Sequence, residues 1–218
     1  MVIFDCNGVL VDSESIASAV LSRALASVGI KAPPQDLAQR FHGRRPSDVF
    51  QAIEQATRRK LPKDFAEKVA AETLRRLRSE LRPIPHAAHA LTWIRGPKAV
   101  ASSSPFERIQ ASLEATGLLG FFCGRLFSAS RVNKGKPAPD LFLHAAAQMQ
   151  IHPSKCIVVE DSVPGITAAA AAGMTPVAFV GSSDTAGHLA GDLSNAGAHA
   201  IIADMRHLHS TIINLRGW

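Results

Sequence analysis

The sequence predicts an α/β fold, a doubly wound, Rossmann-like parallel sheet whose first strand is followed by an inserted helical cap domain. Three observations carry that prediction. Short apolar, β-branched runs alternate with helical periodicity through the C-terminal part of the chain, the pattern of a parallel sheet wrapped by helices. One such run, Val2-Ile3-Phe4, opens the chain. Between it and the next run, residues 14–82 show helical patterning and no strand pattern.

Taken in order, Ile16, Val20, Leu21, Leu25 and Val28 recur at helical spacing and Gly29 closes that helix. Asp12 or Ser13 precedes it as a candidate cap. Pro33-Pro34 marks a loop, and Asp36–Phe41 reads as a short helix. The next helix starts at Pro46 or Ser47, with Val49, Phe50 and Ile53 on one face, and ends at Arg58–Pro62. A long amphipathic helix covers 63–82. Pro83-Ile84-Pro85 is a linker signal, after which strands return. Runs at Lys98–Ala101, Arg125–Ser128, Cys156–Val159, Thr175–Val180 and 199–202 read as strands. His86–Ile94, 106–116, Pro139–Gln150, Val163–Ala172 and 204–217 read as helices, and Gly181-Ser182-Ser183 as a loop. The predicted division is a core of 1–13 and 84–218 and a cap of 14–83.

The composition narrows the class. At 218 residues, 46% hydrophobic and 19% charged, the chain holds enough apolar surface for a real core. No stretch reaches the ~18–20 apolar residues of a membrane span, and no leader pattern is visible. Cys6, Cys123 and Cys156 lack zinc-site spacing, which fits a reducing, cytoplasmic setting. The net charge of +6 lies wholly in 13–84, where 14 Lys/Arg meet 8 Asp/Glu; the remainder has 10 of each. Such a surface attracts an anionic ligand. With no Tyr and no basic stretch interleaved with aromatics, nucleic acid is not the expected partner.

Chemistry enters where strands end. Asp5 follows the first strand, Ser102 ends the second, and Glu160-Asp161 follow a later one. In a parallel sheet these ends share one edge. Lys136, in Gly135-Lys136-Pro137-Ala138-Pro139-Asp140, adds a cation just before a helix. Three carboxylates together favour a hard cation such as Mg²⁺. A carboxylate beside it can attack phosphorus, and a Lys, Ser hydroxyls and backbone N–H groups can hold the transferring oxygens. Singly each motif is a turn or a cap; in this order they reinforce one another.

Those motifs, Phe4-Asp5-Cys6-Asn7-Gly8-Val9-Leu10-Val11-Asp12-Ser13-Glu14, Ala101-Ser102-Ser103-Ser104-Pro105, Gly135–Asp140 and Val159-Glu160-Asp161-Ser162, resemble the haloacid dehalogenase superfamily. The subgroup is the one with a small helical cap after the first strand, which includes sugar-phosphate phosphatases, β-phosphoglucomutases and phosphoglycolate phosphatases. The resemblance implies Asp5 as nucleophile and metal ligand. It implies Ser102, Ser103 and Lys136 as holders of the phosphoryl oxygens, and Glu160, Asp161 and the Asn7 carbonyl as the remaining Mg²⁺ ligands. It further implies that the glycine loop of the cap, Phe41-His42-Gly43-Arg44-Arg45, reads the substrate, with His42, Gly43, Arg44 and Arg45 facing a small phosphorylated metabolite. The expected protein is a phosphatase, monomeric or homodimeric, with a phosphoglucomutase-like transferase or a silent sugar-phosphate binder as the other readings.

Position 7 departs from the resemblance. Its phosphatases carry Asp there, as acid and then base; Asn7 has an amide, which cannot exchange a proton in that role. Three accounts stay open. The residue is introduced and traps an intermediate, it is natural in a weak enzyme, or the reaction needs no acid, as in displacement of halide.

Overall fold

The computed structural model describes residues 1–181 and 190–216. Ser182-Ser183 of the predicted loop and residue 217 of the predicted last helix lie outside them. Among the described residues one sheet forms, from β1 (Val2–Phe4), β2 (Lys98–Ser102), β3 (Leu126–Ser128), β4 (Ile157–Glu160), β5 (Thr175–Phe179) and β6 (Ala200–Ile202). All neighbours are parallel, in the order β3-β2-β1-β4-β5-β6. The order reverses beside β1, the place where open α/β sheets bind ligands.

Burial explains the apolar runs. Along β1 the side chains alternate between two cores, as the strand period of two requires. Val2 and Phe4 pack with α5 (Ala87–Trp93), α6 (Phe106–Ala115) and α10 (Leu208–Arg216), through Leu91, Ile109, Leu113 and Ile212. Ile3 packs on the opposite face against α7 (Asp140–Gln148) and α8 (Val163–Ala171), through Leu141, Phe142, Ala168 and Ala169. Both faces of the sheet are covered, so its strands carry no polar alternation.

The inserted segment forms α1 (Glu14–Ser27), α2 (Pro34–Phe41), α3 (Pro46–Thr57) and α4 (Phe65–Glu80). These helices enclose a core of their own from Leu25, Leu37, Val49, Ile53 and Phe65. The chain enters and leaves this segment through two strands of backbone that pair with each other. Asp12 N–H donates to the Arg82 carbonyl at 3.0 Å and Ile84 N–H to the Leu10 carbonyl at 2.9 Å, around an antiparallel bridge between Val11 and Pro83. The prolines of 83–85 thus belong to a paired crossing rather than a free linker.

Two departures from the sequence pattern have simple causes. Helix α9 (Ala190–Asn195) was not predicted; it is six residues long and anchors one fully buried side chain, Leu193, too little to register as periodicity. The last helix divides into a 3₁₀ turn, Met205–His207, and α10, because the Asp204 side chain accepts from Arg206 N–H and starts a tighter turn.

Candidate active site

The register of the sheet makes the site. Phe4 stands opposite both Val100 and Val159, so Asp5 comes level with Ala101 and Glu160. Asp5 N–H continues the ladder to the Val159 carbonyl at 2.9 Å. Lys136 reaches the same point from the loop before α7, which contains a cis Lys136–Pro137 peptide. Its Nζ donates to Asp5 Oδ1 at 2.6 Å, to Glu160 Oε1, and to the Ala101 carbonyl at 3.4 Å. The ammonium also lies 5.2 Å from the Phe142 ring centre, and only 5% of Lys136 is exposed.

Burial dominates the electrostatics. It pushes Asp5 up to about 7, against the pull of Lys136 and with help from Glu160 and Asp161. Glu160 is buried as deeply, but the Lys136 charge and the donors of Ser162 carry it below the usual carboxylate range. Burial likewise raises Asp161 by more than His42 lowers it.

The two acidic residues after β4 have different tasks. Glu160 Oε2 accepts from Asp161 N–H, Ser162 N–H and Ser162 Oγ at 2.8–2.9 Å, while Oε1 meets Lys136. Both oxygens are held by protein donors, so Glu160 fixes Lys136 and the start of α8. Asp161 turns the other way, across Gly8. Gly8 has φ +73°, and a Cβ there would lie 1.7 Å from Asp161 Oδ2. Gly8→Ala is expected to cost about 2–4 kcal/mol, from a left-handed backbone and an overpacked site, read as a lower urea midpoint.

Asn7 is bracketed by hydroxyls. Ser13 Oγ donates to its Oδ1 and its Nδ2 donates to Ser104 Oγ, each at 2.9 Å. Ser13 stands at the start of α1, yet its hydroxyl makes no cap bond; it is directed at Asn7. Ser104 is itself fixed, its carbonyl accepting from Ser128 Oγ at 2.7 Å.

The cap closes the site from above. His42 Nε2 is 3.0 Å from Asp161 Oδ2. Burial lowers its pKa, but the Asp161 carboxylate outweighs that and raises it to about 10. The Asp161 carboxylate thus favours the protonated ring. Ser103 Oγ donates to the Gly43 carbonyl at 2.8 Å, and Gly43 comes so near Ser162 that a Cβ would lie 2.4 Å from its Oγ. Between cap and sheet a cavity of about 120 Å³ remains, lined among others by Asp5, Asn7, His42, Ser104, Arg108 and Asp161.

Asp5, Asn7, Lys136, Glu160 and Asp161 thus meet at one point, with His42, Gly43 and Ser103 at the cap contact. Three residues stand apart. Ser102 is fully buried and its Oγ accepts from Ser104 N–H at 3.2 Å. Arg44 lines the cavity but is exposed. Arg45 is turned to Asp48, with bonds of 3.0 and 3.2 Å, and lies over Gly135. Ser104 and Arg108 were not singled out from sequence, and Ser13 was read only as a candidate cap, a bond it does not make. Ser104 lay in the same serine run, and Arg108 had one signal, a cation in the first turn of a helix, where the dipole disfavours it.

Among the described residues no three His, Cys, Asp or Glu side chains are placed to hold a metal ion together. The available donors are the carboxylates of Asp5 and Asp161 and the Asn7 carbonyl. That all-oxygen set fits Mg²⁺, which needs one or two protein carboxylates and completes its shell with water and phosphate.

Comparison with known proteins agrees with this geometry. The haloacid dehalogenase-like hydrolase family matches residues 1–173. The chain is 36% identical over 174 residues to the 6-phosphogluconate phosphatase of Escherichia coli, covering 79% of each. It is 31% identical over 177 residues to the fructose-1-phosphate phosphatase of the same organism, covering 80% of this chain and 93% of that one. A conserved haloacid dehalogenase-like protein of unknown function from Agrobacterium tumefaciens superposes with a TM-score of 0.83 at 35% identity, over 99% of this chain and 98% of that one. With its sheet, its strand-end carboxylates and these relatives in agreement, the chain belongs to the haloacid dehalogenase-like hydrolases.

Proposed function

We propose that the chain is a Mg²⁺-dependent phosphatase of a small phosphorylated metabolite, a sugar phosphate or sugar-acid phosphate, acting through an aspartyl phosphate on Asp5. Residues 14–83 act as its cap and 1–13 with 84–218 as its core. The observation that carries the reading is the Lys136 clamp. It holds Asp5 Oδ1 at 2.6 Å and leaves the second carboxylate oxygen to attack. The named relatives are phosphatases of phosphorylated sugars and sugar acids, which supports the substrate class. The free thiols of Cys6, Cys123 and Cys156 support a reducing, cytoplasmic setting.

In this reading Asp5 forms an O–P bond as the ester O–P bond breaks. Lys136 and the N–H groups and hydroxyls after β2 hold the phosphoryl oxygens. Mg²⁺ bound by Asp5, Asp161 and the Asn7 carbonyl would offset the carboxylate charge and draw charge from the phosphoryl group. The departing alkoxide takes up a proton, and a water then cleaves the acyl phosphate. Both proton transfers fall to the side chain at position 7, and an amide makes neither.

The test is phosphate release from a panel of phosphorylated metabolites, with Mg²⁺ and with EDTA. Slow, EDTA-sensitive release is expected from the chain as it stands; release indifferent to EDTA would remove the metal from the reading. His42→Ala is expected to raise KM roughly 10-fold, the worth of about one charge-assisted hydrogen bond. It should also lower the Mg²⁺ concentration for half-maximal activity, because it takes a cation away from Asp161. A change in neither would place His42 outside the site.

A further inference from the structure

We infer that Arg108 is the residue that reads a second oxyanion on the substrate, a carboxylate or a further phosphate carried by the leaving group. The inference rests on the phosphatase reading for what it calls the leaving group, and it assigns the anion specificity to the core rather than to the cap.

Four observations converge on this side chain. Arg108 is the third residue of α6, the helix that begins directly after the serine loop, so its guanidinium is carried by the rigid part of the site. It lines the cavity together with Asn7 and Ser104. Its Nε is buried and has no hydrogen-bond partner, and its Nη2 makes one long contact, 3.5 Å, to Ser13 Oγ. A buried donor without a partner is destabilising, and an Arg in a first helical turn opposes the helix dipole. Local folding therefore favours neither the residue type nor its place.

The chemistry of the guanidinium supplies what the fold does not. Nε and one Nη form a planar fork that binds a carboxylate or a phosphate through two parallel bonds. In Arg108 this is the edge with an unpaired donor. The other candidate arginines do not present it. Arg45 spends both donors of its fork on Asp48, and Arg44 is exposed to solvent. The position also fixes which part of the substrate is read. Ser13 Oγ links the two, donating to Asn7 Oδ1 and accepting the long contact from Arg108 Nη2, so the fork lies one hydroxyl away from the side chain at position 7, where this reading puts the leaving oxygen. A second anion on the leaving group comes within its reach.

The decisive measurement is equilibrium binding to the chain with Asn7 in place, in Mg²⁺, by calorimetry. Two matched pairs separate the sources of the anion: 6-phosphogluconate against sorbitol 6-phosphate for a carboxylate, and fructose 1,6-bisphosphate against fructose 1-phosphate for a phosphate. One member of at least one pair, the one with the extra anion, is expected to bind more tightly. Arg108→Gln, which keeps the bulk and loses the charge, is expected to weaken that ligand roughly 10- to 100-fold and its partner by less than about 3-fold. Arg108→Lys should recover part of the loss, since it restores charge without the fork. Equal losses within each pair, or no loss, would overturn the assignment, as would equal affinities within both pairs for the unaltered chain. Circular dichroism and the thermal midpoint check that each variant is folded; where Arg108→Gln is not, Arg108→Lys is read against the same pairs for a smaller loss that falls selectively on the ligand with the extra anion, and equal losses within each pair or no loss overturn the assignment. Turnover is measured separately in the Asn7→Asp background. Its absence there would count against the phosphatase reading while the binding result still decides the role of Arg108.

Discussion

Asn7→Asp raises Mg²⁺-dependent phosphate release by about 10²–10⁴-fold, the usual worth of a general acid–base group. The surroundings are already arranged for a carboxylate. Ser13 Oγ donates to Asn7 Oδ1 now and would do so to an aspartate oxygen. Ser104 Oγ, which now accepts from Nδ2, need only rotate its proton to become the second donor. Neither bond requires the backbone to move, so the Asn7 carbonyl keeps its place and the concentration of Mg²⁺ for half-maximal activity should change little. The gain should fall on kcat, because the alkoxide and the attacking water need the proton transfer and the ground-state complex does not. An Asn-Gly pair can deamidate, so residual activity of the unaltered chain must be set against the fraction of molecules deamidated at Asn7, found by mass spectrometry. No gain on any phosphorylated sugar would favour a chain that binds such compounds without turning them over. Gain restricted to transfer of phosphate between sugars, with little release, would favour a mutase.

The fold was legible because its strands are buried on both faces. Cys156–Val159 and Val2–Phe4 are continuous apolar runs because both faces of the sheet are covered, and the helices that alternate with the strands supply the crossovers a parallel order needs. The convergence of Asp5, Glu160 and Asp161 followed from the fold, since strand ends of a parallel sheet share an edge, and Lys136 joins them from the loop before α7. What the sequence did not show is how each side chain spends its hydrogen bonds. Glu160 and Asp161 are neighbours of the same acidic character, yet one is consumed by Lys136 and Ser162 while the other faces His42. Arg44 and Arg45 looked alike as readers of an anion; Asp48, three residues after Arg45, turns it aside. Arg108 drew no attention as a cation in the first turn of a helix until the burial of its unpartnered Nε set it apart. These assignments depend on partners distant in the chain, which local patterns do not encode.

Lys136→Met is expected to abolish phosphate release and to destabilise the protein by about 3–5 kcal/mol, the cost of leaving a buried charge without its partner. Methionine matches the length of the lysine stem and retains the contact with Phe142, so the loss is one of charge rather than volume. Asp5 Oδ1 loses its short bond and Glu160 Oε1 loses its cation, both in a region where burial already penalises ionisation. Burial already favours the protonated form of Asp5 and Lys136 opposes it, so losing Lys136 drives Asp5 further toward the protonated form. A protonated carboxyl is a poor nucleophile, and the oxygen that should attack is no longer fixed. The two effects separate in a double variant. Adding Glu160→Gln removes one of the stranded charges, since its amide can stay uncharged beside the methionine. Part of the stability should return, measured as a rise in the urea midpoint above that of Lys136→Met alone. Phosphate release should stay absent, because Asp5 still lacks its clamp. Were Lys136→Met as stable as the parent, the carboxylates of Asp5 and Glu160 would already be paired by something other than Lys136. Were it active, the oxygen of Asp5 that attacks phosphorus would not depend on the bond at Oδ1.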